Sequence, residues 1–135
     1  MIRIVDILGA LSDDKALILY NTIAQGDGHD FKTLIKKMGI TPHQHYSRIL
    51  RITKAGLVKR ENGKYITTAL GNVVYDAVSM VGKALDHYWA LKVIESFQSL
   101  ATIDSKEHVS KLIDTLIDDQ WIKKILIEPT IMSRS

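Results

Sequence analysis

The dipeptide Asn62-Gly63, set between Leu57-Val58-Lys59-Arg60-Glu61 and Lys64-Tyr65-Ile66-Thr67-Thr68, constrains this chain more than any other feature. Both central residues of a type I′ turn need positive φ, so Asn-Gly between two strand-like runs predicts a β-hairpin. What precedes it is equally specific. Phe31 to Met38 reads as a short helix with Leu34, Ile35 and Met38 as its inward stripe, Gly39-Ile40 as a turn, and Thr41-Pro42 as a helix start. A Thr cap accepts an orphan backbone N–H, and Pro at the first helical position has none to lose. The second helix is predicted from His43 to Ala55, stopping at Gly56. Helix, turn, helix and hairpin in that order make a DNA-reading arrangement.

Charge follows the same boundaries. From Lys32 to Lys64 nine Lys and Arg stand against one acid, Glu61, a net of +8, while the whole chain carries +3. From Asn72 onward seven basic residues face nine acidic ones, a net of −2. The positive charge therefore sits on the segment that phosphate neutralisation would need. A solvated basic surface is the plain alternative, and it is the coincidence with the motif that favours DNA.

The 135 residues suffice for one domain with a real core plus appended helices, and 46% hydrophobic content excludes a disordered chain. No apolar run approaches the ~18 to 20 residues of a membrane span. Met1 to Leu11 is interrupted by Arg3 and Asp6 and does not read as a signal peptide. Cysteine is absent, which excludes disulfides, thiolate zinc sites and thiol redox switches. A cytoplasmic protein is expected.

Ile4 to Ala10 reads as a first helix. Ser12 precedes a second, Asp13 to Ala24, with Ala16, Leu17, Leu19, Tyr20 and Ile23 on its apolar face, and Gln25 to His29 reads as a loop. After the hairpin a helix is predicted to restart at Thr68 to Asn72 and run to about Leu100. Val74, Val78, Val81, Leu85, Tyr88, Leu91 and Ile94 repeat along it at spacings of three and four, a coiled-coil-like seam. A linker, Ala101 to Asp104, leads to a last helix from Ser105 to Ile127 with a broad stripe that includes Val109, Leu112, Ile113, Leu116, Ile117, Trp121 and Ile122. Pro129 and the tail to Ser135 are expected to fray. This divides the chain into a module over residues 1–71, a helical region over 72–128 and a tail over 129–135. Two broad apolar faces appended to a module with its own core predict a homodimer, with Val78, Val81, Leu85, Leu112, Leu116 and Trp121 as its contacts. A compact monomer with both helices folded over the first domain is the alternative.

A helical wheel turns His45, Ile49 and Ile52 toward the core and His43, Gln44, Ser47, Leu50, Arg51 and Lys54 away from it, with Tyr46 and Arg48 on the flanks. Residues near the start of a reading helix go deepest into the groove, so His43, Gln44, Tyr46 and Ser47 are the candidates for base contacts. Arg48, Arg51 and Lys54 are the candidates for phosphates. Arg60 and Lys64 flank the hairpin tip with Lys59 behind, a basic wing suited to the minor groove. His45 reads as a partly buried structural histidine.

Ala10-Leu11-Ser12-Asp13, Leu34 to Thr41, Ala55-Gly56-Leu57-Val58, Gly63-Lys64-Tyr65 and Ile66 to Gly71 together resemble winged helix-turn-helix regulators of the ArsR and MarR kind, and small archaeal winged-helix proteins. The resemblance covers roughly Ile4 to Ala77. It implies a mainly α fold with a small β-hairpin wing and C-terminal dimerisation helices, and a homodimeric transcriptional regulator. Two departures stand out: His45 occupies a position usually aliphatic in that family, and the cysteine metal ligands of many ArsR-like sensors are missing.

Asp104, Glu107, His108 and Lys111, with Asp86-His87 on the preceding helix, do not reproduce the spacing of a His-carboxylate zinc site, so no metal or other cofactor is expected. No G-x-S-x-G, H-E-x-x-H, P-loop or G-x-G-x-x-G pattern occurs, and an enzyme is not expected. The expectation is a dimeric, sequence-specific regulator that binds double-stranded DNA. A winged helix used for protein contacts in a transcription or chromatin assembly is the second reading, in which Tyr46 and Leu50 become anchors.

Overall fold

The computed structural model describes residues 1–26, 31–100 and 105–127. The loop around Asp27 to His29, the linker 101–104 with Asp104, and Pro129 with the tail, all singled out from the sequence, lie outside the described residues. The described residues form eight helices and one antiparallel hairpin: α1 (Ile4–Ala10), α2 (Asp14–Gln25), α3 (Phe31–Met38), α4 (Pro42–Lys54), β1 (Val58–Glu61), β2 (Lys64–Thr67), α5 (Ala69–Asp86), α6 (Tyr88–Ser99), α7 (Ser105–Leu116) and α8 (Gln120–Ile127). They divide into two compact units, Met1–Ser79 and Met80–Ser135.

In the first unit the start of α2 and both ends of α4 have local causes. Asp13 caps α2, its carboxylate accepting the Ala16 N–H at 2.8 Å. Thr41 caps α4 in a reciprocal box: its hydroxyl accepts the Gln44 N–H at 3.1 Å, and the Gln44 side-chain oxygen accepts the Thr41 N–H at 2.9 Å. At the far end Gly56, at φ +80°, closes α4 with a Schellman pair, Gly56 N–H to Thr53 O at 2.9 Å and Leu57 N–H to Ile52 O at 3.2 Å. Asn62 (φ 53°) and Gly63 (φ 77°) make the primed turn, with register Val58↔Thr67, Lys59↔Ile66, Arg60↔Tyr65 and Glu61↔Lys64.

The core of this unit is built from Ala10, Ala16, Leu19, Tyr20, Ile23, Ile49, Ile52, Ala55, Leu57 and Val58, with Ile7, Leu11, Phe31, Leu34, Met38, Tyr65, Val74 and Tyr75 packed around it. Each large apolar side chain buried there contributes about 1.5–3 kcal/mol. One junction locks α4, the hairpin and the start of α5 together. Thr68 N–H donates to Leu57 O at 3.0 Å, the Thr68 hydroxyl donates to Gly56 O at 2.5 Å, and that hydroxyl accepts the Gly71 N–H at 2.9 Å. The buried Tyr20 hydroxyl donates to the Gly71 carbonyl, and burial pushes the phenol up to about 12. Gly71 approaches so closely that an added Cβ would collide with the Leu57 carbonyl oxygen.

The second unit departs from the sequence expectation. The single helix expected from Thr68–Asn72 to about Leu100 is interrupted at His87 (φ −100°, ψ 18°), between α5 and α6. The imidazole explains the break. Its Nδ1 sits 2.8 Å from the Lys83 carbonyl oxygen, the acceptor that a continuing helix offers to the His87 backbone N–H, and that N–H bonds Ala84 O at 3.1 Å instead. The His87 Nε2 lies 2.9 Å from an Asp118 carboxylate oxygen. With acceptors at both nitrogens the imidazolium is favoured, and the pKa lies above the usual histidine value, through the Lys83 carbonyl first and Asp118 second. The helix expected from Ser105 to Ile127 is likewise two, because Asp119 accepts the Ile122 N–H at 3.0 Å and caps α8. Ile94, Ile113, Ile117 and Ile122 form this unit's core, bordered by Ala90, Leu91, Val109, Leu112 and Leu126. No helix among the described residues is long and apolar enough to cross a membrane.

Gly71→Ala tests the junction. A methyl group driven into a backbone oxygen forces α5 away from β1, and the expected loss is about 2–3 kcal/mol of stability by urea denaturation; a variant as stable as wild type would show that the close approach is not needed.

Candidate nucleic-acid interface

Helix α4 is held from behind by His45, Ile49 and Ile52, all buried. The residues that the wheel turns outward, His43, Gln44, Ser47, Leu50, Arg51 and Lys54, are all exposed, and so is Tyr46. The hairpin lies beside this face. A groove between them is lined by Tyr46, Ile49, Leu50, Thr53, Arg60 and Tyr65, and it continues past Phe31, His45 and Gly63. Within the hairpin Arg60 stands over the Tyr65 ring at 5.8 Å, and Tyr65 meets the Phe31 ring edge-on at 5.8 Å. These ring contacts orient the β1 arginine without neutralising it. Lys64 is exposed at the tip, while Lys59 pairs with Glu61 at 3.5 Å.

Two of the expected contact residues are committed elsewhere. The Gln44 side-chain oxygen is held by the capping box, so the two-point grip of a Gln on adenine, which needs both oxygen and nitrogen, is not open while the box holds. Arg48 is half-buried: its Nε bonds the Asp13 carboxylate at 3.1 Å and its Nη1 donates to Gln44 O at 3.1 Å. Arg48 therefore ties the start of α4 to the cap of α2. The Ala16 N–H foremost, and then the Arg48 guanidinium, hold the Asp13 carboxyl below the usual carboxylate range. His43, Tyr46, Ser47, Arg51, Lys54, Arg60 and Lys64 keep exposed positions on α4 and the hairpin. Lys36 and Lys37, counted in the basic segment but given no contact role from the sequence, are exposed in the last turn of α3.

His45 is more deeply buried than expected. It is 2% exposed, packed against the Phe31 ring at 4.9 Å, and its Nδ1 has no hydrogen-bond partner. Burial pushes its pKa down, which favours the neutral ring. Of the residues assigned to dimerisation, Val81, Leu85, Leu116 and Trp121 are exposed and Val78 is half-buried, whereas Leu112 packs on the core of the second unit. Among the described residues no group of three or more His, Cys, Asp or Glu side chains is placed to hold a metal ion. No known family, curated protein or solved structure matches the chain.

The committed side chains make a distinguishing prediction. In the absence of any ligand, Gln44→Ala should cost about 0.5–2 kcal/mol of folding stability through the lost box. Arg48→Ala should cost up to about 1 kcal/mol, the pair being partly open to water. Ser47→Ala and Arg51→Ala should stay within about 0.5 kcal/mol of wild type. Urea unfolding of the four variants checks this, and an Arg51 variant weaker than the Arg48 variant would reverse the assignment.

Proposed function

We propose that this chain is a winged helix-turn-helix regulator of transcription that binds double-stranded DNA sequence-specifically as a cytoplasmic homodimer, laying α4 in the major groove and the hairpin at the minor groove. The observation that carries this reading is that α4 exposes His43, Ser47, Arg51 and Lys54 while the hairpin, with Arg60 and Lys64 exposed, flanks the side of the same helix that bears Tyr46 and Leu50, Arg51 and Lys54 lying on the other flank against α1. That face meets what duplex recognition requires. Short polar side chains at the start of the helix can reach base edges, and cations further along and on the wing can neutralise phosphates. His43, Tyr46 and Ser47 are assigned to bases, and Arg51, Lys54, Arg60 and Lys64 to the backbone. Gln44 and Arg48 act at one remove, by fixing the helix that carries the others.

A second reading rests on one observation: Tyr46 and Leu50, 64% and 54% exposed, put apolar surface in the middle of the same face. There α4 docks on a protein of a transcription or chromatin assembly.

Titration of the full chain with an operator selected from genomic DNA and with a scrambled duplex, at several salt concentrations, separates the two. On the DNA reading both duplexes bind at low salt and the operator is preferred. Arg60→Ala/Lys64→Ala then weakens both and flattens the salt slope by up to about two units, one per lost phosphate contact. Wild-type protein that binds neither duplex at low salt overturns the DNA reading in favour of protein contact.

A further inference from the structure

The break between α5 and α6 has no cause in the usual breaking residues. Residues 83–90 contain neither Pro nor Gly, and Val81, Leu85, Tyr88, Leu91 and Ile94 keep helical spacing straight through it. A side chain that enters the hydrogen-bond ladder is another ordinary cause of a sharp break, and here the His87 imidazole sits 2.8 Å from the Lys83 carbonyl oxygen. A carbonyl oxygen only accepts, so this contact needs a hydrogen on Nδ1. The Asp118 carboxylate, 2.9 Å from Nε2, makes the same demand on the other nitrogen. Only the imidazolium meets both; either neutral tautomer sets a ring lone pair against an oxygen. Little else fixes the geometry at this point. Among the described residues the core of the second unit is made by α6, α7, α8 and the turn between the last two, and no side chain of α5 belongs to it. Two contacts tie the break to the connection between α7 and α8: His87 to Asp118, and the Lys83 ammonium to Asp119 in a long pair at 3.9 Å.

We propose that His87 is a proton-controlled elbow: the imidazolium holds α6 bent away from the line of the last turns of α5, and release of its proton to water frees the Lys83 carbonyl for the His87 backbone N–H, so that α5 runs on into α6. This goes beyond the DNA reading and does not depend on it.

The groups that face His87 set the direction of the response. From α5 comes the Lys83 carbonyl, and from the connection between α7 and α8 come the carboxylates of Asp118 and Asp119. All three favour the charged ring, the Lys83 carbonyl most, and against a partial burial that works the other way they hold its pKa above the usual histidine value. The nearby ammonium groups have carboxylates of their own: Lys83 pairs with Asp119, and Lys123, on α8, pairs with Asp114 at 3.0 Å. The hydrogen bond from His87 foremost holds the Asp118 carboxyl below the usual carboxylate range, so this acceptor is ionised throughout the window in which the imidazole titrates. A histidine whose pKa is raised in the folded chain lends its support fully below the ordinary value of ~6.5 and loses it as pH rises through the higher one. The elbow is therefore bent on the acid side and released on the alkaline side, within reach of the pH range where histidines act as switches.

The distance between spin labels at Val81→Cys and Ser96→Cys tests this, both positions being exposed, one on each side of the elbow, in a chain with no other cysteine. At 1.5 Å per residue an unbroken helix sets them about 22 Å apart. The labelled full chain is diluted with unlabelled protein, so that only distances within one chain are read. At about pH 5.5 the distance is expected to be shorter than in the unbroken helix, and by about pH 9 to lengthen toward it, with a midpoint that matches the titration of the His87 ring followed by NMR. Asp118→Asn alters an exposed side chain and should keep the circular dichroism spectrum while moving both midpoints to lower pH. His87→Ala should read the long distance at every pH. A distance that does not change while the His87 ring titrates overturns the proposal. So does a His87→Ala chain that stays bent or still responds to pH, or an Asp118→Asn chain with the wild-type midpoint.

Discussion

The contact between Gly71 and the Leu57 carbonyl is the constraint on which the first unit depends. It joins three elements that would otherwise be only neighbours in sequence: the end of α4, the base of the hairpin and the start of α5. The Schellman closure at Gly56 aims the chain out of α4, the Thr68 hydroxyl bonds back to the Gly56 carbonyl, and Tyr20 reaches from α2 to the Gly71 carbonyl. Because a buried hydroxyl or carbonyl left without a partner costs ~1–3 kcal/mol, the members of this network hold one another in place. The consequence is felt at the surface, since the angle between α4 and the hairpin is set here, and with it the groove between Tyr46 and Arg60.

A division of labour among the polar groups of the basic segment follows. Arg48, Gln44 and Thr41 spend their hydrogen bonds on the protein and fix where α4 begins. Arg51, Lys54, Arg60 and Lys64 remain at the surface. Net charge alone does not distinguish the two groups, and a count of cations between Lys32 and Lys64 overstates what is available to a polyanion. The number of phosphates such a face can neutralise is governed by the exposed set, and so is the steepness with which salt weakens its binding.

Much of the first unit was legible in the sequence because its signals are local. The Asn-Gly turn, the Thr-Pro helix start, the glycine stop and the inward triad His45, Ile49 and Ile52 each depend on a few adjacent residues or on one helical period. The partnership of Arg48 with Asp13 was not legible, since it spans 35 positions and nothing at either residue names the other. Gln44 is different. Its place three residues after Thr41 is the signature of a capping box, and its outward position on the wheel drew the base-reading role instead. In the second unit the seven-residue apolar pattern ran straight through His87 and through Asp118-Asp119. Periodicity registers which positions are apolar and is silent on a side chain that competes for a backbone carbonyl or caps a new helix. The reading by periodicity therefore joined four helices into two, and it assigned dimer contacts to Val78, Val81, Leu85, Leu112, Leu116 and Trp121 without singling out the exposed Trp89 and Phe97.

The central claim, that the α4 face and the hairpin tip together form a duplex-binding surface, is tested most directly by following backbone amide resonances as duplex DNA is added. The account predicts that shifts concentrate in residues 43–54 and 59–65, with α7 and α8 unchanged. Shifts confined to the helices after Ser79, or saturating shifts with an α4 face that does not respond, would contradict it.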